Sequence, residues 1–355
     1  MIKQNLLESC WQAELKDYVT NLAWSTTGKY VAAASAAGEL MVWSTASWQV
    51  VLQFQTGQAA SIDGLAFSAD DQFLAAGGQS GTVHIWQMDA PESFQPIATL
   101  EQPRVWVDRL CWHPQRPELA FSLGRYAQVW EAKTQAVVAT LHFEQSSVLD
   151  LAWHPQGTCL AVSGQSGVKA WNCRDWDAEP EVRELPTASV AIAWSRDGQY
   201  LAAGNLDRTL IVWDWSNPYP WQMQGFPGKV RQLAWSDMPH QNNAPQLAAI
   251  SGEAVILWDK AEDDQLGWEA TVLDLHSATV QAIGFQPNSL LLASAASDGW
   301  LCLWQRGQAV QILEGAPRGF SCVQWQPQGK MLAAGGQQGE LLIWKLMSRG
   351  RGFGR

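Results

Sequence analysis

Along the chain, apolar residues fall in short runs of four to six positions broken by turn residues, and no stretch carries the period of a long amphipathic helix. The same sequence of runs recurs eight times. An apolar strand ends in Trp or Phe, a turn follows, then a strand of small residues, a glycine turn, and a strand ending in Trp. The closing tryptophans are Trp43, Trp86, Trp130, Trp171, Trp213, Trp258, Trp304 and Trp344, spaced 40 to 46 residues apart. The earlier anchors are Trp24, Phe67, Trp112, Trp153, Trp194, Trp235, Phe285 and Trp325, which precede their partners by 18 to 23 residues.

The fifth copy shows the pattern plainly. Val190-Ala-Ile-Ala-Trp194 is the first strand, Arg196-Asp-Gly-Gln199 a turn, Tyr200-Leu-Ala-Ala203 the second strand and Thr209-Leu-Ile-Val-Trp213 the third. Weaker apolar stretches between copies, such as Trp48 to Leu52 and Thr271 to Leu275, supply a fourth. Four short strands in each unit of about 43 residues predict an all-β fold, a single eight-bladed β-propeller of four-stranded antiparallel blades over residues 1–344. Trp11-Gln-Ala-Glu-Leu15 precedes the first copy with no copy of its own, so it is expected to pair outside Leu341 to Trp344 and close the ring.

These segments resemble the WD-repeat family, from about Trp11 to Trp344. The naming Trp-Asp pair survives at Trp213-Asp214 and Trp258-Asp259, and the family's buried hydrogen-bond relay fits one copy, as His276, Ser294, Asp298 and Trp304. In the fifth copy Asp207 keeps the turn position, but Ala203 and Pro186 replace the hydroxyl and the imidazole. The resemblance implies a rigid, non-catalytic scaffold for protein partners. It also implies a binding face at the loops that enter the inner strands, with outward positions beside the first apolar residue of each inner strand and at the following turn. Carried onto this chain, those positions include Tyr18, Asp63, Trp106, Asp108, Lys229 and Arg231, the pair Ser189 and Ala191 in the fifth copy, and the turn residues Leu123 and Ser251. Trp106, Tyr18 and Arg231 are the expected anchors, because aromatics and arginine dominate interface energetics, with Asp63 and Asp108 orienting the partner.

Composition narrows the alternatives. With 23 basic and 34 acidic residues the net charge is −11, which disfavours polyanions and anionic membranes at long range. The tail from Lys345 to Arg355 carries four positive charges and no acid, which leaves an RNA-associated propeller as the rival reading. A small-ligand or catalytic site in the central channel is a second rival. The chain has no GxSxG elbow, HExxH or phosphate loop, and neither cofactor nor metal is expected. Asp175-Trp-Asp-Ala-Glu179 lacks the glycine and the twelfth carboxylate of a calcium loop and reads as a solvated acidic segment. His113 and His154 follow two of the anchors and read as turn-shaping residues. Six scattered cysteines without a CxxC pair, no apolar run of membrane-spanning length and no basic-apolar leader point to a reduced, cytoplasmic, monomeric ring. Of 22 tryptophans, 14 occupy the repeat positions, where large rings fill the space between blades.

Overall fold

In the computed structural model, described for residues 5–90, 92–102, 105–143, 146–263 and 265–347, the strands form eight four-stranded antiparallel sheets. Blade 1 runs Val19–Trp24, Tyr30–Ser35, Glu39–Ser44 and Val50–Gln55 from the channel outward, and blades 2 to 7 repeat this meander in chain order. The inner strands of blades 2 to 7 start at Ile62, Leu110, Asp150, Ser189, Gln232 and Val280. Blade 8 is composite: Phe320–Trp325, Met331–Gly336 and Glu340–Leu346 are joined by the N-terminal strand Leu7–Glu14 as outermost member.

That composite blade closes the ring as the strand count requires. Trp11 lies opposite Ile343 and Ala13 opposite Leu341, and the closing strand begins earlier than Trp11, with Leu7 opposite Leu346. Two side chains lock it in place. Trp11 stacks on Trp48 at 4.5 Å and meets Trp43 edge-on at 5.4 Å, both in blade 1. Gln311, from the outer strand of blade 7, accepts the Leu6 and Leu7 amides at 2.7 and 2.9 Å and donates to the Leu7 carbonyl at 2.7 Å. No backbone edge of the third strand is left bare, which removes the aggregation hazard of an open sheet.

Blades pack face to face, and their second strands explain how closely. Val31-Ala-Ala-Ala34 in blade 1 is wholly inaccessible, as are Leu201-Ala-Ala203 in blade 5 and Leu332-Ala-Ala334 in blade 8. Small side chains let neighbouring sheets approach, while the closing tryptophans fill the widening space outside them. Trp130 and Trp213 are 1 and 2% exposed.

The inner anchors do more than fill space. The indole N–H of each inner tryptophan donates to a backbone carbonyl of the preceding blade, always from the residue just before that blade's own anchor. Trp24 bonds Gln324, Trp112 bonds Ala66, Trp153 bonds Cys111, Trp194 bonds Ala152, Trp235 bonds Ala193 and Trp325 bonds Gly284, all at 3.0 to 3.3 Å. Neighbouring inner strands share no ladder, so these bonds tie sheet to sheet around the channel. The two positions without one are Phe67 and Phe285, whose rings have no N–H to give.

A second belt runs through the turns at the far end of the inner strands. His113 and His154 each set Nε2 against the carbonyl of the next blade's turn glycine, Gly157 at 3.1 Å and Gly198 at 3.2 Å. Each ring also packs edge-on against the next anchor tryptophan at 4.8 Å. Gln286 and Gln326 make the same bridge to Gly329 and Gly28 through an amide. A Cβ at Gly157, where φ is +67°, would collide with the His113 ring, so both backbone shape and contact require glycine there. In blade 2 Asp71 takes this place, and its carboxylate reaches back to the Thr26 and Thr27 amides at 2.5 and 2.8 Å.

The relay of blade 7 is complete. The Trp304 indole donates to Ser294 Oγ at 2.7 Å, the hydroxyl meets His276 Nε2 at 2.7 Å, and His276 Nδ1 meets Asp298 at 3.0 Å. In a neutral imidazole whose Nδ1–H donates to the carboxylate, Nε2 accepts from the Ser294 hydroxyl, whose oxygen accepts from the indole. Asp298 also accepts the Ser277 and Trp300 amides at 3.0 and 2.9 Å. Elsewhere the hydroxyl position is apolar, and the buried indole N–H groups of Trp130 and Trp258 have no partner among the described residues.

Three outcomes follow from this construction. Removing residues 1–17 strips the edge of Glu340–Leu346, and the truncated protein should melt well below the full chain or aggregate; an unchanged melting curve with a monodisperse monomer would refute closure by this strand. Trp194→Phe deletes one inter-blade bond and should lower unfolding free energy in urea by about 1 kcal/mol, whereas Trp106→Phe at the exposed rim should stay within about 0.5 kcal/mol. Asp298→Ala unpairs the buried imidazole and should cost on the order of 1 to 3 kcal/mol. Asp207→Ala, at an exposed turn where the carboxylate accepts from Thr209 at 2.6 Å, should cost clearly less; equal losses would show that the relay is not what Asp298 serves.

Candidate partner-binding face

The inner strands surround a channel whose mouth opens among the loops that enter them. Residues from all eight blades line a cavity of about 540 Å³ there, and its wall is polar, including Asn21, Asp63, Arg109, Asp150, Arg231, Gln232 and Gln281. Four of the polar wall residues, Asn21, Arg109, Asp150 and Gln232, lie three positions before their anchors, and Asp63, Arg231 and Gln281 lie four before theirs. A side chain three positions before the anchor can reach the next blade and so join two inner strands that lack a ladder. Asn21 donates to the Asp63 carbonyl at 2.9 Å, Asp150 accepts the Ile192 amide at 2.9 Å, and Gln232 accepts the Ile283 amide at 3.0 Å. Arg109 meets Asp150 at 3.2 Å through Nε.

Charge is divided around the mouth. Asp63, Asp108 and Asp150 stand on blades 2 to 4, and Lys229 and Arg231 stand on blade 6, four blades from Asp63 and so across the ring. Burial raises the Asp108 carboxyl above the usual carboxylate range, the Asp63 charge raises it further, and Arg109 pulls it back. The Asp150 carboxyl is also raised by burial, against the opposing pull of Arg109 and the Ile192 and Leu151 amides. Burial raises the Tyr18 phenol and Cys322 adds to the effect, while Arg231 lowers it.

The structure places the six expected rim residues unequally. Asp63 and Arg231 line the channel itself. The Arg231 guanidinium is held by the Val280 carbonyl of blade 7 at 2.8 Å, and the Asp63 carboxylate takes the Ser61 hydroxyl at 2.6 Å. Tyr18 is half-buried, whereas Asp108 and Lys229 are exposed. Trp106 is 58% exposed.

Four outward assignments are corrected. Ser189 is 0% and Ala191 6% exposed. The bulge between them matches that between Val19 and Asn21, so Ser189 occupies the inward position filled by Val19 in blade 1, and Ala188 and Val190 flank it. Leu123 and Ser251 are fully buried because their turns are short: Leu123 pairs with Tyr126 and Ser251 with Ala254, which draws both into the sheet. The anchor-minus-three ties, including Arg109 and Asp150, escaped sequence reasoning, although a polar residue recurring there was the available signal. Among the described residues, no group of three or more His, Cys, Asp or Glu side chains is arranged to hold a metal ion, and no helix is long and apolar enough to cross a membrane.

The family model for the WD domain, G-beta repeat, matches residues 9–44, 49–87, 135–172, 181–214, 267–305 and 307–345. Each match opens on the outer strand of one blade and closes on the third strand of the next, so the sequence repeat is offset by one strand from the structural blade. The third and sixth copies lie outside the matches; one has an inner strand of only Leu110–Trp112, the other an inner strand extended to Pro239. Among curated proteins, the chain is 25% identical over 212 residues to the anaphase-promoting complex subunit cdc20 of Dictyostelium discoideum, covering 47% of this chain and 42% of that protein. It is 26% identical over 133 residues to Protein HIR1 of Yarrowia lipolytica (34% of this chain, 13% of that protein). It is 37% identical over 79 residues to Protein Atg16l2 of Mus musculus (21% and 13%). The chain therefore spans less than half the length of these relatives. With repeat matches over more than half its residues on a ring of eight four-stranded blades, the chain belongs to the WD-repeat family.

Proposed function

We propose that this propeller is a non-catalytic platform that holds a protein partner across the mouth of its channel. The observation that carries this reading is Trp106, a largely exposed indole on a rim where acids on blades 2 and 3 face cations on blade 6. Trp106 and Tyr18 offer apolar area at low entropic cost, and Arg231 offers a guanidinium already oriented by Val280, so little ordering remains to be paid on binding. Asp63, Asp108 and Lys229 set the orientation of the partner through charge. The similarity to a relative whose name makes it a subunit of a complex supports assembly with other proteins as the role of the ring. A monomeric ring working in a reducing, cytoplasmic setting agrees with six cysteines that are all free.

The test begins with affinity purification from the native cell and mass spectrometry to identify the partner, followed by titration with Trp106→Ala and Arg231→Ala proteins that retain wild-type circular dichroism. Each should lose more than about 1 kcal/mol of binding free energy. Smaller losses in both would move the interface away from the mouth, to the acidic loops around Asp175 and Asp263.

A further inference from the structure

At the mouth end of each junction between blades, the first inward residue of one inner strand packs against the second strand of the blade before it. Three glycines define the contact: a Cβ on Gly77 would lie 2.9 Å from the Val107 side chain, on Gly204 2.9 Å from the Val230 side chain, and on Gly335 2.5 Å from the Val19 side chain. Seven junctions put an apolar residue there, valine in five and Ile62 and Phe320 in the others, and none of these is more than 5% exposed. The junction between blades 4 and 5 differs. Its inward residue is Ser189, and the position equivalent to Gly77 and Gly204 is Ser163.

Both serines are 0% exposed, and both hydroxyls lack a partner among the described residues. Asn205 lies opposite Ser189 in the sheet, is equally inaccessible, and spends its amide N–H on Thr209 at 2.9 Å while its Oδ1 is unpartnered. Blade 3 shows that a serine at this place need not be orphaned. Ser122 accepts the Arg109 amide at 3.1 Å, because the inner strand there starts late, at Leu110, and leaves that amide free. In blade 4 the ladder already pairs Asp150 with Ser163, so no backbone group is left for the Ser163 hydroxyl. Leaving three buried polar groups without partners is unfavourable, and an internal ligand removes that penalty.

We propose that the junction between blades 4 and 5 holds a buried water molecule bound by Ser163, Ser189 and Asn205, a hydrated site where the other seven junctions place an apolar inward residue. Two hydroxyls and one carbonyl oxygen suit it: water donates to Asn205 Oδ1 and exchanges hydrogen bonds with the serines, reaching the three partners usual for internal water. The direct test is a crystal structure of the full chain at about 1.5 Å, where a single peak about 2.7 to 3.2 Å from all three side-chain oxygens is expected. A dry junction, or hydroxyls bonded directly to each other or to Asn205, overturns the proposal, and so does a peak with oxygen contacts of about 2.3 to 2.6 Å, which marks a cation. Thermal denaturation of Ser163→Ala, Ser189→Val and the double variant is the independent check. One shared water makes the two shifts in melting temperature non-additive, while additive shifts would show that the hydroxyls hold no common ligand.

Discussion

Eight sheets set face to face around an axis have no backbone ladder between them, so something other than strand pairing must fix where each blade sits relative to the next. Here the main device is the inner tryptophan. Its ring fills the taper between two sheets while its N–H reaches back to one carbonyl, the same one in the repeat each time, in the preceding blade. Packing alone would let blades slide along each other, whereas a directional bond to a fixed atom sets their height around the ring. Most blades lack the buried relay of blade 7, while six of the eight anchors make this bond between blades.

The two ends of the inner strands then acquire different tasks. At the turn end, a histidine or glutamine after the anchor bridges to the next turn in blades 3, 4, 7 and 8, and in blade 1 the link comes from the neighbour through Asp71. At the mouth end, side chains three and four positions before the anchors make the ties and also form the polar channel wall. The composite eighth blade matters because every one of these links presupposes a closed ring.

The eight copies, their four strands and the closing strand were legible in the sequence because each rests on a period of large side chains, and burial enforces that period. The relay was legible for a related reason, since four residue types at fixed repeat positions leave little freedom. Individual rim positions were harder. Ser189 looks like a polar surface residue, and only the bulge shared with Val19 shows that it sits inside. Leu123 and Ser251 were misplaced by one position because a two-residue turn replaces a longer one, and turn length is not written in the apolar pattern. The inter-blade bonds of the tryptophans were hidden entirely, because a period shows which rings are buried but not which carbonyl they face.

The same constraint bears on where a partner interface can be altered without harm to the ring. Asn21, Asp150 and Gln232 face the channel, yet each is committed to a bond with the next blade, so changing any of them loosens a junction as well as the surface. Trp106 and Lys229 carry no such duty in the wall of the channel and project into solvent. Recognition is therefore free to vary at the outer rim, while the inner wall is fixed by assembly. A ring built this way presents a partner with a stiff polar floor that stability requires, surrounded by a few exposed side chains whose cost in folding is small, and specificity belongs to those few.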